Sequence, residues 1–534
     1  MAGITLIGYQ PFQTILMRTT MNKLNHILIV GGGTAGWMTA NLLAKEWQGK
    51  VGNITVLESS QIGTIGVGEG TTPFMQDFFK KLDIEESEWM PACNATYKTG
   101  IRFPGWSTKT GYTSYFHPFY SEIDTDAAMR FFSDVKNRHA GSRINVNPQN
   151  YFITSRLAEA GKAPFHVKDN MLNSEYVYHF DAALMGQFLR KKAIQRGVTH
   201  VDDVMLEAQT SANGNISRIL CKDTGWLAAD FFIDCSGLRG LLIQQALGQK
   251  QKSFSDRLIN DAAVALPTTI VEQQPLPSFT DSIAAEFGWM WRIPLQNRMG
   301  NGYVFSSACT THEAAEKELR QYVNAQELAV EAKHISWTPG RLHNHWFKNC
   351  VAIGLSQGFL EPLEAPMLNV TQHSIEMFMY YFQAGNASNK YQSRFNTEVN
   401  NLIDGTVDYI QAHYLLNSRE DSIYWRFCRE NQNQSDALKE IISSWKRTGN
   451  IDGALRAHAH TQPYFKTSWL SLLAGLGTFP QDIIEPENSE ELPLSYKNKV
   501  LSATDYVDHR TILAEHENSL FRDASELERK VCNV

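Results

Sequence analysis

The run His26-Ile-Leu-Ile-Val30, followed at once by Gly31-Gly-Gly-Thr-Ala-Gly36, constrains this chain more than any other feature. Four apolar residues, Ile27 to Val30, that end on glycine read as a buried strand, and Trp37 to Trp47 beyond the turn read as a helix. A second apolar run, Ile54-Thr-Val-Leu57, ends on Glu58, 22 residues past Gly36. Strand, glycine turn, helix and strand make one βαβ unit of the kind that binds a dinucleotide. In such a unit Gly31 permits the tight turn, Gly33 lets a pyrophosphate approach the backbone, and Gly36 lets the helix pack on the sheet. Thr34 and Ala35 complete the turn, ahead of the helix-end N–H groups that face phosphate, and Glu58 is spaced to accept from ribose hydroxyls.

Further strands are expected at Gly197 to Val204, Ile216 to Cys221 and Phe231 to Cys235, with a helix over Asp181 to Arg196. That alternation predicts an α/β fold. After about Asn369 the pattern turns helical, through Gln372 to Phe382, Arg394 to Leu416 and Ser435 to Lys446. Residues 1–21 read as an N-terminal extension, with Met21 as an alternative start. Residues 22–370 form the nucleotide-binding domain, interleaved with substrate-side segments at about 90–180, and residues 371–534 form a mainly helical substrate region. Glu430 to Ser435, rich in Asn and Gln, and the acidic Glu485 to Leu492 read as surface loops.

Lys and Arg number 49 against 56 Asp and Glu, a formal charge of −7, so there is no basic field for nucleic acid or an anionic membrane. No apolar run reaches the length of a spanning helix, and residues 1–20 lack the charged start of a secretory signal. The seven cysteines include no Cys-x-x-Cys pair, which points to reduced thiols and a cytoplasmic location. The pairs His343/His345 and His458/His460 fit no metal-binding pattern, and no metal is expected.

Two later segments bear on the nucleotide. Phe231-Phe-Ile-Asp234-Cys-Ser-Gly237 and Asn349-Cys-Val-Ala-Ile-Gly354 each run from an apolar strand to glycine. Both resemble motifs of FAD-dependent hydroxylase-type folds, in which the second passes the ribityl chain and the flavin phosphates. The resemblance implies an FAD-binding Rossmann-like fold of that type, with the helical C-terminal substrate region added. The sequence holds no second Gly-x-Gly-x-x-Gly for a nicotinamide nucleotide, so a separate NAD(P)H-dependent flavin reductase is expected.

Trp289-x-Trp291-x-Ile293-Pro294 is flanked in chain order by Gly66-Val-Gly68-Glu-Gly-Thr71, Tyr97-Lys98-Thr-Gly-Ile-Arg102, Tyr115-Phe-His117-Pro-Phe119 and Gly358-Phe-Leu-Glu-Pro-Leu-Glu364. With these motifs the chain resembles the flavin-dependent halogenases of the tryptophan-halogenase family from Ile27 to Pro480. Taken alone, two indoles on one strand face would be packing. The resemblance implies instead that Trp289 and Trp291 wall the flavin off from the organic substrate, so that chloride or bromide is oxidised by reduced FAD (FADH2) and oxygen. The hypohalous acid would then meet Lys98, which hydrogen-bonds it or becomes a haloamine, and Glu364, the expected partner of Lys98 and acceptor of the ring proton. His117 and Phe119 match positions that sandwich the aromatic substrate, which is indole-like or otherwise electron-rich, and Trp469 is a further substrate-side candidate.

Two departures stand out. Many relatives follow the acid with Ser-Thr-Gly, whereas this chain has Ala365-Pro366-Met367. Pro366 has no N–H, so a halide would fall to the Met367 or Leu368 amide, in a looser pocket suited to bromide. Around Trp469 only the following Leu470 to Gly477 matches the family, which leaves the substrate's polar contacts open. An FAD-dependent aromatic monooxygenase and a catalytically idle flavin-binding sensor are the alternative readings, and the helical surface leaves room for a homodimer.

Overall fold

The computed structural model describes residues 21–62, 68–271, 273–480 and 502–519. Residues 1–20 of the N-terminal extension, Gly66 and Glu485 to Leu492 lie outside them. Strand β1 (Leu24–Val30), helix α1 (Thr34–Glu46) and strand β2 (Val51–Glu58) form the βαβ unit. Helix α1 starts three residues before the apolar reading suggested, with Gly33 at its N-cap. Ile27 lies at the centre of the parallel sheet, opposite Ile54 on one side and Phe231 on the other. The whole sheet has six strands, running Trp346–Phe347, Cys350–Ala352, Phe231–Asp234, β1, β2, Thr199–Asp202. Both faces of these central strands are buried, which is why their sequences are continuous apolar runs instead of alternating ones.

A second, seven-stranded sheet carries the tryptophans. Its order is Lys333–Ser336, Ala262–Thr268, Met299–Phe305, Gly288–Pro294, Thr280–Ala285, then β5 (Gly100–Pro104) and β6 (Ser114–Pro118). A small antiparallel sheet is interleaved with these in sequence, and in it strand Val177–Asp181 sits between β3 (Gly68–Gly70) and β4 (Thr96–Lys98). Strand Val177–Asp181 runs straight into helix Ala182–Gln195, because Asp181 caps it by accepting from the Ala183 and Leu184 amides.

Three long helices, Pro366–Ala384, Gln392–Leu415 and Asp436–Thr448, follow. The first begins ahead of Asn369, since a proline at N1 needs no N–H partner and has its φ already set for a helix. Three other expectations are corrected. The strand expected over Gly197 to Val204 is confined to Thr199–Asp202. Glu430 ends a helix, and Asn431 is buried, donating to the Asp256 carbonyl at 2.8 Å, so that stretch is not a plain surface loop. The chain beyond 371 is not helical throughout, because strand Tyr506–Asp508 returns to pair antiparallel with Lys162–His166. Among the described residues no helix is long and apolar enough to cross a membrane. Six of the cysteines are free thiols, five of them buried.

Candidate active site

A cavity of about 720 Å³ is lined by residues of the two large sheets, of the small sheet centred on Val177–Asp181 and of the start of helix Pro366–Ala384. Gly31, Gly33, Thr34 and Ala35 line it at the glycine turn. Gly36 lies behind them, and a Cβ there would sit 1.9 Å from the Gly31 carbonyl oxygen, so close helix packing demands glycine. At Gly33 the demand comes from the cavity itself: a Cβ would meet nothing within 4 Å and would occupy the space before the helix N-terminus. Phosphate fits there, against free N–H groups and the positive end of the helix dipole.

Glu58 lines the cavity at the end of β2. Its carboxylate accepts from Trp37 Nε1 at 3.1 Å and Arg190 at 2.8 Å, and lies 2.9 Å from His200 Nε2. A fixed acid in that position suits a ribose. Gly68, Gly237 and Gly354 are also in the lining. Asp234 is a correction: it is fully buried behind the wall, where it accepts from the Ser236 amide and hydroxyl and from the Leu242 and Ile243 amides. It ties the loop that carries Gly237 and is not placed to touch a nucleotide. The glycine turn, the ribose acid and the space before Gly33 together fit a dinucleotide.

Lys98, Glu364, Trp289 and Trp291 line the same cavity. Lys98 Nζ donates to the Thr71 carbonyl at 3.0 Å and lies 5.4 Å from the centre of the Phe119 ring. Burial lowers its pKa from 10.5 to about 8, against the opposing pull of Glu364. Beneath it His179 is held neutral, since burial and then the Lys98 charge push its pKa well down. Glu69, on the short strand β3, also faces the cavity, and burial followed by repulsion from Asp181 raises its carboxyl to about 7.

Glu364 is not hydrogen-bonded to Lys98, as expected of a partner, but to His413, with His117 beside it at ion-pair distance. His413 Nε2 is 3.1 Å from Oε1, and His117 Nδ1 is 3.2 Å from Oε2. Burial pushes the carboxyl up, but the two histidines outweigh it and hold Glu364 well below the usual carboxylate range. His413 Nδ1 lies 2.9 Å from the Tyr409 carbonyl, which can only accept, so the proton on Nδ1 is fixed. Glu364 and Ala365 both adopt left-handed backbone, with φ 66° and 51°, a strain of the kind concentrated at functional sites. This turn swings helix Pro366–Ala384 so that Met367 and Leu368, in its first turn, line the cavity.

The substrate-side residues are placed differently from the expected sandwich. His117 is engaged with Glu364, Phe119 lies against Lys98, and Trp469 is completely buried edge-on to Tyr409 at 5.0 Å. Sequence reasoning missed His413, which is 49 residues from Glu364 and carries no local signal. It also missed Glu361, three residues before Glu364. Glu361 is fully buried, accepts from Trp289 Nε1 at 3.3 Å, Asn260 at 3.1 Å and Tyr414, and is pushed by burial up to about 7. The spacing Glu-Pro-Leu-Glu was its only trace. Among the described residues no cluster of His, Cys, Asp or Glu could hold a metal ion.

Fold and cavity therefore define a flavoprotein whose nucleotide site opens onto a tryptophan-walled chamber containing an ammonium and a carboxylate. The tryptophan halogenase family model matches residues 26–488. Tryptophan 6-halogenase SttH of Streptomyces toxytricini is 37% identical over 476 residues, covering 84% of this chain and 89% of the relative. Tryptophan 7-halogenase RebH of Lentzea aerocolonigenes is 34% identical over 489 residues, 86% of this chain and 90% of the relative. The structure of BrvH, a flavin-dependent halogenase from Brevundimonas sp. BAL3, superposes with a TM-score of 0.79 at 30% identity, over 92% of this chain and 99% of that one. The chain belongs to the tryptophan halogenase family, whose members are flavin-dependent halogenases.

Proposed function

We propose that this enzyme uses reduced FAD, oxygen and chloride or bromide to halogenate an electron-rich aromatic ring, an indole in the first instance. The observation that carries the reading is that Lys98 and Glu364 line one cavity with the glycine turn, and Trp289 and Trp291 line it too. FAD, when bound, supplies the oxidation of halide by oxygen that yields hypohalous acid.

The remaining steps belong to the chain. The Lys98 ammonium spends one N–H on the Thr71 carbonyl, leaving two to hold and polarise hypohalous acid. Its pKa near 8 places it close to working pH, so it can give up a proton as the halogen is delivered. Glu364, kept ionised by His117 and His413, stabilises the positive charge on the attacked ring and accepts the departing ring proton. The two indoles keep the aromatic substrate away from the flavin. At the start of helix Pro366–Ala384 the Met367 and Leu368 amides are the donors for halide, and the absence of an N–H on Pro366 favours the larger bromide. Electrons come from a separate NAD(P)H-dependent flavin reductase.

The test is an aerobic assay with FAD, NADH and an added flavin reductase. Bromide, chloride or no halide is offered to a panel of indoles and phenols, with Lys98→Ala as control. Halide-dependent product that disappears in the control is expected. Oxygenated product without halide would make the protein a monooxygenase, and no product across the panel would favour a sensor.

A further inference from the structure

Strand β4, which carries Lys98, is an edge strand, paired with Val177–Asp181 on one side. Side chains alternate along it, so Tyr97 faces away from the cavity that Lys98 lines. The outward amide of Tyr97 is closed by a residue more than 400 positions away: it donates to His509 Nε2 at 3.0 Å. His509 Nδ1 lies 3.1 Å from the Leu276 carbonyl, which can only accept. The proton is therefore on Nδ1, and Nε2 is left as the acceptor that Tyr97 requires. The ring is wholly buried, and burial pushes its pKa down to about 4, so it stays in this neutral form.

His509 does not act alone. Its own amide donates to the Gly161 carbonyl at 3.1 Å, and Arg510 donates to the Gln274 and Val271 carbonyls. Strand Tyr506–Asp508 adds itself to Lys162–His166, and the Tyr506 hydroxyl donates to the Leu172 carbonyl at 2.7 Å. Seven residues beyond His509, His516 Nε2 lies 2.8 Å from the Tyr97 hydroxyl oxygen, which also donates to Glu86 at 2.5 Å. Tyr97 is thus gripped at its backbone by one histidine and at its ring tip by another. On the cavity side, the ammonium of the next residue is held by the Thr71 carbonyl. The segment that does this, residues 502–519, lies past residue 488, where the family match ends.

We propose that residues 502–519, acting through His509 on the Tyr97 amide, clamp the strand that carries Lys98 and so set where the ammonium stands in the reaction chamber. His509 is a positioning residue and touches no reactant. The inference rests on the halogenase reading for its consequence, since a displacement of about 1 Å at a reacting group can cost on the order of 100-fold. Its geometric content stands apart from turnover.

The experiment uses the full chain with His509→Ala and His509→Gln, the latter keeping a side-chain carbonyl to accept from Tyr97. Lys98 is acylated with acetic anhydride across a pH series and read by mass spectrometry, which needs no catalysis. In the unsubstituted protein half-labelling is expected at about 8. In His509→Ala it moves toward the ordinary 10.5 by about one pH unit or more, as water reaches a loosened ammonium, and His509→Gln brings it back. With tryptophan and tryptamine as probes and bromide present, halogenated product per NADH falls about 10-fold or more in His509→Ala, with flavin affinity unchanged. An unmoved labelling midpoint in folded His509→Ala would overturn the clamp, as would a parallel loss of flavin affinity. If His509→Ala does not fold, the half-buried Arg510→Ala is judged by the same midpoint, with a shift in the same direction expected and none overturning the idea. Should the unsubstituted enzyme halogenate neither probe, the choice of substrate fails while the labelling midpoint still decides the clamp.

Discussion

Burial holds the Lys98 ammonium at about 8 where an exposed lysine sits at 10.5, and that difference is a cost to the fold as well as a tool for chemistry. Below pH 8 Lys98 is charged in both states, so the folded state bears the whole penalty, roughly 3 kcal/mol. Between 8 and 10.5 the unfolded chain keeps the proton that the folded one has released, and stability rises relative to a neutral residue. Lys98→Met should therefore abolish halogenation yet stabilise the protein at pH 7 by about 2 kcal/mol, after about 1 kcal/mol is lost at the Thr71 carbonyl. Urea midpoints at pH 7 and pH 10 test this, because the gain has to shrink at the higher pH. Glu364 works with the opposite sign, its histidines holding it ionised. His413→Phe takes away one of them, so the Glu364 carboxyl rises and the acid limb of the kcat profile moves to higher pH. Rates between about pH 3 and 7 would show it, and an unchanged limb would mean that Glu364 takes no ring proton. Lys98 and Glu364 were legible because each sits in a short motif. His413 was not, since the contact spans two elements and neither local sequence shows it.

At the level of elements, the βαβ unit was readable to within a few residues because its strands are buried on both faces and its turn must be glycine. The substrate side was not readable, since which way His117, Phe119 and Trp469 face depends on packing between distant segments. The tryptophan wall shows the same dependence. Trp291 lies opposite Gly302 in the antiparallel pair of strands Gly288–Pro294 and Met299–Phe305, and its ring lies across that glycine. A Cβ at Gly302 would stand 2.0 Å from the indole edge. A rigid, buried indole cannot bend away from such a clash, so Gly302→Ala should drive Trp291 toward the cavity, at a stability cost of about 1–3 kcal/mol. The variant is expected to bind flavin more weakly and to lose about 10-fold or more in product rate. Unchanged flavin affinity, measured by fluorescence quenching, would mean that the ring relaxes elsewhere and that the wall is not set by this strand pair.

For the molecule as a whole, the decisive feature is that the glycine turn, Lys98, Glu364 and the two tryptophans line one cavity, while the sequence provides a single Gly-x-Gly-x-x-Gly fingerprint. A nicotinamide nucleotide has no glycine turn of its own to bind, and the turn at Gly31 to Gly36 is the one that fits the flavin. On the proposed reading, hydride reaches the flavin on a separate reductase, and reduced flavin crosses solution as a diffusing substrate. Three consequences can be measured together. NADH mixed anaerobically with the flavin-loaded protein should leave the oxidised flavin absorbance unchanged over minutes. An unrelated flavin reductase should then bleach it, and the maximal halogenation rate should not depend on which reductase is supplied, because no surface on this chain has to recognise it. Direct bleaching by NADH would instead place a nicotinamide site on this chain outside the glycine-turn cavity. A rate that tracks the identity of the reductase would imply docking between the two proteins in place of free diffusion.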